Sequence, residues 1–150
     1  MLALDLGQVR IGVALSDPLR VTGQALTTLL HRDLKSDLEA IRRLVQEHQV
    51  TEVVVGHPIL LRGARGRAAL AAERFVARLR DHLAVPVHLW DERWTTRAAE
   101  RALGEMRLSR RRRGAAVDRV AAALILQAYL DHEGQARVEP AGGGEGDADE

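Results

Sequence analysis

The rest of this chain has to be built around its opening, Leu2-Ala3-Leu4-Asp5-Leu6-Gly7, which runs on into Arg10-Ile11-Gly12-Val13-Ala14-Leu15-Ser16. A short apolar run that holds one carboxylate and closes on glycine reads as a buried strand, ending on an acid and turning sharply. The second run resumes after a turn at Gly7 to Val9, so the two strands form an antiparallel hairpin. Asp5 is thereby committed to a nearly dry position, where a carboxylate loses hydration and requires a cation, a set of donors or a metal. Alternatively, Asp5 caps the turn at Gly7 by accepting local backbone hydrogen bonds. The hairpin alone leaves both readings open.

Asp17-Pro18 ends the second strand, and Ala25 to Leu30 can form a third. Leu38, Ile41, Leu44 and Val45 recur at helical spacing between Lys35 and His48, with Ser36 as the expected cap. Glu52 to Val55 reads as a buried strand ending in Gly56-His57-Pro58, followed by a loop over 59–66 that contains Arg62 and Arg65. The alanine-rich segment Ala68 to His82 predicts a helix with Leu70, Phe75, Val76 and Leu79 facing inward. Val85 to Trp90 is a further strand, running into Asp91-Glu92-Arg93, and Thr95 or Thr96 caps a short helix after it. Ser109 to Gly114 is a basic loop, and Ala115 to His132 an apolar helix with Asp118 in its first turn. The segment from Gly134 onward, rich in glycine and acid, is expected to be disordered. Hairpins followed by alternating helices and strands predict one α/β domain over 1–133, a mixed sheet with helices on its faces, with 134–150 as a tail.

Composition narrows the partners. The net charge is only +1, yet the last twelve residues hold five acids and no base, leaving 22 bases against 16 acids over 1–138, a net +6. Lys35 is the only lysine, so the basic side chains are almost all arginine, whose planar fork suits phosphate. A GC-rich genome favours arginine codons as well, so composition makes a polyanionic partner reasonable and goes no further. With no cysteine, disulfides and thiolate metal sites are excluded, and any metal must sit on oxygen or imidazole. No basic segment followed by an apolar stretch precedes the first strand, and no apolar run is long enough to span a bilayer. The expectation is a cytoplasmic protein without a membrane partner.

Ligands of parallel sheets gather at the carboxyl ends of the strands, where three acids fall: Asp5, Glu92 and Asp118. Three carboxylates without a suitably spaced histidine pair suit Mg²⁺ or Mn²⁺, which take hard oxygen ligands. Two such ions about 4 Å apart would serve phosphodiester hydrolysis, activating water and stabilising the leaving oxygen. Spacing alone also permits Asp118 to be a helix N-terminal acid and Glu92 to pair with Arg93 or Arg97 on the surface. Arg110-Arg111-Arg112-Arg113, just before the acid-bearing helix, is the best candidate for phosphate-backbone contact, although a charge run can also be a solvated loop.

Several of these segments together resemble the YqgF/RuvX family. They are Asp5-Leu6-Gly7 with Arg10-Ile11-Gly12-Val13-Ala14 and Ser16-Asp17-Pro18; Val54-Val55-Gly56 with Pro58; Asp91-Glu92-Arg93 with Thr95-Thr96 and Ala99-Glu100; and Val117-Asp118 with Ala121 to Gln127. The resemblance covers nearly everything from residue 2 to 132. It implies a ribonuclease H-like fold, a five-stranded mixed sheet of order 3-2-1-4-5 flanked by helices. It further implies a metal-dependent nuclease, described both as a Holliday junction resolvase and as the enzyme that matures the 5′ end of precursor 16S rRNA. Under that resemblance Asp5, Glu92 and Asp118 are the catalytic, metal-binding acids for two Mg²⁺ or Mn²⁺ ions. Arg10, Arg93 and Thr96 match positions beside them and join Arg110 to Arg113 as nucleic-acid contacts; a monomer and a homodimer both remain open. His57, Leu60-Leu61-Arg62 and Trp94 depart from the family pattern without removing an expected ligand.

Overall fold

A computed structural model describes residues 1–59, 63–92, 101, 105 and 115–138 of the chain. The strands are β1 (Leu2–Leu6), β2 (Arg10–Ser16), β3 (Gly23–Leu30), β4 (Val53–His57) and β5 (Val87–Asp91). They form one sheet in the order β3-β2-β1-β4-β5. The helices described are α1 (Leu34–Glu47), α2 (Arg67–His82) and α3 (Ala115–Val138). β1 pairs antiparallel with β2, placing Asp5 opposite Gly12, and parallel with β4, placing Leu4 opposite Val55. β4 and β5 are also parallel, with Gly56 opposite Trp90 and His57 opposite Asp91. The expected mixed ribonuclease H-like sheet is therefore present, with β1 at its centre.

Side chains alternate across each strand, so the two faces acquire different cores. Leu2, Leu4, Ile11, Val13, Val53 and Val55 pack with Leu38, Ile41, Val76 and Leu79 on the face covered by α1 and α2. Ala3, Ala14, Val54 and Trp90 pack with Ala121, Ala122, Ile125 and Leu126 on the face covered by α3. Four of the residues in that second core are alanines, which lets α3 lie close to the sheet. Gln127 fastens the helix at β3, its Oε1 accepting from Gly23 N–H at 3.0 Å and its Nε2 donating to Val21 O at 3.0 Å.

Local details differ from the sequence expectation. Asp33, not Ser36, is the N-cap of α1: its carboxylate accepts from Ser36 N–H at 2.8 Å, the reach of an N-cap side chain to the third helical residue. In α2 the buried stripe is Ala69, Ala72, Val76 and Leu79, while Leu70 is 37% exposed, because the close face selects alanine over leucine. β3 begins at Gly23 and β5 at Val87, two residues from the expected start in each case. α3 continues through Gly134 to Val138 instead of stopping at His132, an exposed glycine being tolerated inside a helix at a cost of about 1 kcal/mol. No helix among the described residues is long and apolar enough to cross a membrane.

Candidate active site at the carboxyl edge of the sheet

Strand alternation puts Asp5 on the same face as Ala3, the face that α3 covers. Its neighbours on either side within the sheet are glycines. Gly12 lies across the antiparallel pairing, and Gly56 follows Val55 on the parallel strand. Both strands thus withhold a side chain where Asp5 needs room.

The two other acids fill that room. A Cβ on Gly12 would stand 1.9 Å from the carbonyl oxygen of Asp118, so the first turn of α3 rests its backbone directly on the glycine. A Cβ on Gly56 would stand 2.6 Å from Glu92 Oε1 and 2.8 Å from Ile125 Cδ1, so the Glu92 carboxylate lies over that glycine. Glu92 follows the last residue of β5, two positions beyond the inward-facing Trp90, and reaches back across β4. The register therefore brings Asp5, Glu92 and Asp118 to one face and one edge. Their relative exposures are 3%, 8% and 2%.

Five polar or charged residues are buried among those described: these three acids, Asp37 and His57. Burying three carboxylates near one another is electrostatically expensive unless positive charge is supplied. Arg10 begins β2 two residues before Gly12, and so lies on the acid face at the rim. Asp118, in the first turn of α3, also gains from the positive end of the helix dipole. The donor set is oxygen only, which suits a hard divalent cation. Among the described residues no three His, Asp or Glu side chains are gathered tightly enough to hold an ion as they stand. The match to a divalent metal is thus one of donor type, burial and shared edge.

His57, singled out as a departure, points the other way. It alternates with Gly56 onto the α2 side, where its Nε2 is 3.8 Å from Glu73 Oε1, and Glu73 accepts from Arg65 Nη1 at 2.7 Å. Arg93, Trp94, Thr96, Arg110, Arg111, Arg112 and Arg113 lie outside the described residues, as do Leu60, Leu61, Arg62 and 139–150. Sequence reading missed the part played by Gly12 and Gly56. Their signal was present as small residues in two buried strands, but the sheet order is required to see that they flank Asp5.

The class that the fold and this edge define is a ribonuclease H-like domain with three buried carboxylates at the carboxyl ends of its strands. The chain belongs to the family described as RuvX: Holliday junction resolvase, which it matches over residues 1–132. It is 47% identical over 140 residues to a Koribacter versatilis protein named "Putative pre-16S rRNA nuclease", covering 93% of this chain and 92% of that one. A Moorella thermoacetica protein of the same name is 50% identical over 135 residues, covering 90% and 96%. Among solved structures, Thermus thermophilus RuvC in complex with a Holliday junction substrate has a TM-score of 0.53 at 15% identity, covering 89% of this chain and 96% of that one. At that identity the likeness bears on the fold.

Proposed function

We propose that this chain is a metal-dependent nuclease that hydrolyses phosphodiester bonds of structured nucleic acid in the cytoplasm, with 5′-end maturation of precursor 16S rRNA as its reaction. The observation that carries the reading is the burial of Asp5, Glu92 and Asp118 on one edge, with glycine beneath two of them. Buried like charges that only served a turn, a surface pair or a helix end would not need that cleared space. Asp5, Glu92 and Asp118 would hold Mg²⁺ or Mn²⁺, two ions in all, which supply Lewis acidity and charge neutralisation at the phosphate. The chain itself contributes the remaining work. Asp5 is fixed by the central strand, Asp118 by the seating of α3 on Gly12, and Glu92 by the end of β5. Arg10 at the rim binds a phosphate oxygen and orients the backbone for attack, and the core beneath excludes bulk water. Arg93, Thr96 and the Arg110 to Arg113 run extend the phosphate-binding surface.

The relatives' name favours the RNA reaction, whereas the family description favours resolution of four-way DNA junctions. The test compares the purified protein on a labelled 16S precursor and on a four-way junction, each with Mn²⁺, Mg²⁺ and chelator. Cleavage of the precursor is expected, lost on chelation and lost in Asp5→Asn while folding and RNA binding persist. Metal-independent cleavage, or an Asp5→Asn protein of full activity, overturns the assignment. Binding to both substrates without cleavage in any metal identifies a non-catalytic nucleic-acid-binding factor instead.

A further inference from the structure

The turn between β1 and β2 leaves the site immediately after Asp5 and returns to it at Arg10 and Gly12. His31, in the link between β3 and α1, holds it from outside. The backbone N–H of His31 donates to Val9 O at 2.9 Å. Its ring meets Gly7 O through Nε2 at 2.8 Å and Asp37 Oδ2 through Nδ1 at 2.9 Å. The other oxygen of Asp37 accepts from Arg32 N–H at 3.1 Å. Asp37 is only 7% exposed and sits in the first turn of α1.

Both ring nitrogens thus face acceptors. A backbone carbonyl can only accept, and an ionised carboxylate can only accept. The two contacts are made together only if the His31–Asp37 pair carries one proton more than a neutral imidazole beside a carboxylate. Without that proton one nitrogen presents a lone pair to an oxygen. The buried carboxylate is the stronger acceptor, so Nδ1 keeps its hydrogen and the contact given up is Nε2 to Gly7 O. Other charged groups on the surrounding elements are Arg32 in the same link, Asp33 and Lys35 at the start of α1, and Arg10, whose strand partner Leu30 precedes His31. None of them supplies a donor to Asp37 Oδ2 or an acceptor alternative for Nε2 among the described contacts.

We propose that His31 and Asp37 are a positioning pair for the nuclease site: a latch on the Gly7 to Val9 turn that fixes the direction of Asp5 and Arg10. Through the two ring contacts the turn is tied to β3 and α1. Without the ring contact to Gly7 O the turn keeps the His31 N–H to Val9 O bond and its own Gly7 N–H to Arg10 O bond, each at 2.9 Å.

The position of the latch rests on the nuclease reading, but its chemistry does not, and two variants separate them. Asp37→Asn offers an amide N–H to Nδ1, so a neutral ring can keep Nε2–H on Gly7 O, closing the latch without the extra proton. His31→Ala opens it. Imidazole ¹⁵N shifts and turn amide exchange are measured alongside cleavage of the precursor in Mn²⁺. For the parent we expect hydrogen on both ring nitrogens and slow exchange of the turn amides. Asp37→Asn should show slow exchange as well, with cleavage within about twofold of the parent. His31→Ala should show fast exchange and kcat lowered about tenfold at unchanged KM, as small displacements of a catalytic group commonly do. A parent ring with one bare nitrogen and a protected turn, or a His31→Ala turn as protected as the parent's, overturns the latch. If no substrate is cleaved but shifts and exchange behave as stated, the latch stands and the nuclease reading falls.

Discussion

Gly12→Ala is the sharpest perturbation available, because the backbone itself does not oppose it. Gly12 lies within β2 in extended conformation, unlike Gly63, whose φ is 83°. Alanine in a strand interior ordinarily gains about 0.5–1 kcal/mol over glycine. Here the added methyl would stand 1.9 Å from Asp118 O and 2.3 Å from Asp118 C, both backbone atoms that no rotamer change can remove. Relief to ordinary contact at 3.4 Å requires the first turn of α3 to retreat by about 1.5 Å, the difference between those distances. That is the rise of one helical residue, and overpacking of this kind costs about 1–3 kcal/mol. In a domain of this size each kcal/mol lowers Tm by about 2–4 °C, so a fall of about 2–12 °C is expected in calorimetry. The same retreat moves the Asp118 carboxylate away from Asp5, and a misplacement of about 1 Å costs cleavage on the order of a hundredfold. Gly134→Ala is the control, since nothing lies within 4 Å of its Cβ, and it should raise Tm slightly. A Gly12→Ala protein as stable and as active as the parent would refute the seating of α3 on β2.

Gly56→Ala meets side-chain ends, Glu92 Oε1 and Ile125 Cδ1, which can swing aside. It should lower stability by less than about 1.5 kcal/mol while reducing both Mn²⁺ affinity, measured by calorimetric titration, and cleavage. Gln127→Leu leaves the part-buried Gly23 N–H without its partner, while water can replace the exposed contact to Val21 O, and should cost about 1 kcal/mol in urea unfolding. The hydrogen bonds from Arg42, foremost, hold the Glu39 carboxyl at about 2, against an ordinary value of 4.5. A depressed acid stabilises the fold above its unfolded pKa and loses that contribution as pH falls through the folded one. The stability gap between parent and Glu39→Gln should therefore narrow from about pH 4.5 down to about 2. It is small at neutral pH, because the pair is solvent-screened.

The hairpin, the helices and the two parallel strands were legible because each carries its own local pattern: short apolar runs closed by turn residues in β1 and β2, three-to-four spacing in α1. The errors fall where two residues could do one task. Asp33 and Ser36 can both cap a helix, and the longer carboxylate, starting one turn earlier, reaches the Ser36 N–H while Ser36 Oγ donates to it. Leu70 and Ala69 both lie in an apolar segment, and only the close approach of α2 to the sheet decides that the smaller one goes inside. The three acids were picked out as residues at strand ends and a helix start, and their gathering at one edge was expected only through the sheet order the resemblance implies, because it depends on β1 lying between β2 and β4, a pairing that no local pattern encodes. His31 and Asp37 left no signal at all: a histidine in a link and an acid in a first helical turn have separate ordinary explanations until the turn carbonyl is seen between them.

The three acids are held by unlike means, and this orders how the site should respond to change. Asp5 is set by the central strand, paired on both sides. Asp118 is set by backbone contact, with Ala121 and Ala122 fully buried behind it, so its place depends on α3 as a rigid body. Glu92 is set by side-chain packing over Gly56, which leaves its carboxylate adjustable without moving a helix. Were these acids to hold the proposed cation, their carboxylates would have to draw together, since among the described residues no three side chains form a ready cage. Glu92 is the one whose movement costs least, so it should do most of the closing. Metal binding should then protect β5 and the chain beyond it from hydrogen exchange more than it protects β1 or α3. Equal added protection at all three would mean that the ion organises the whole edge, and that the glycines merely make space instead of setting which acid moves.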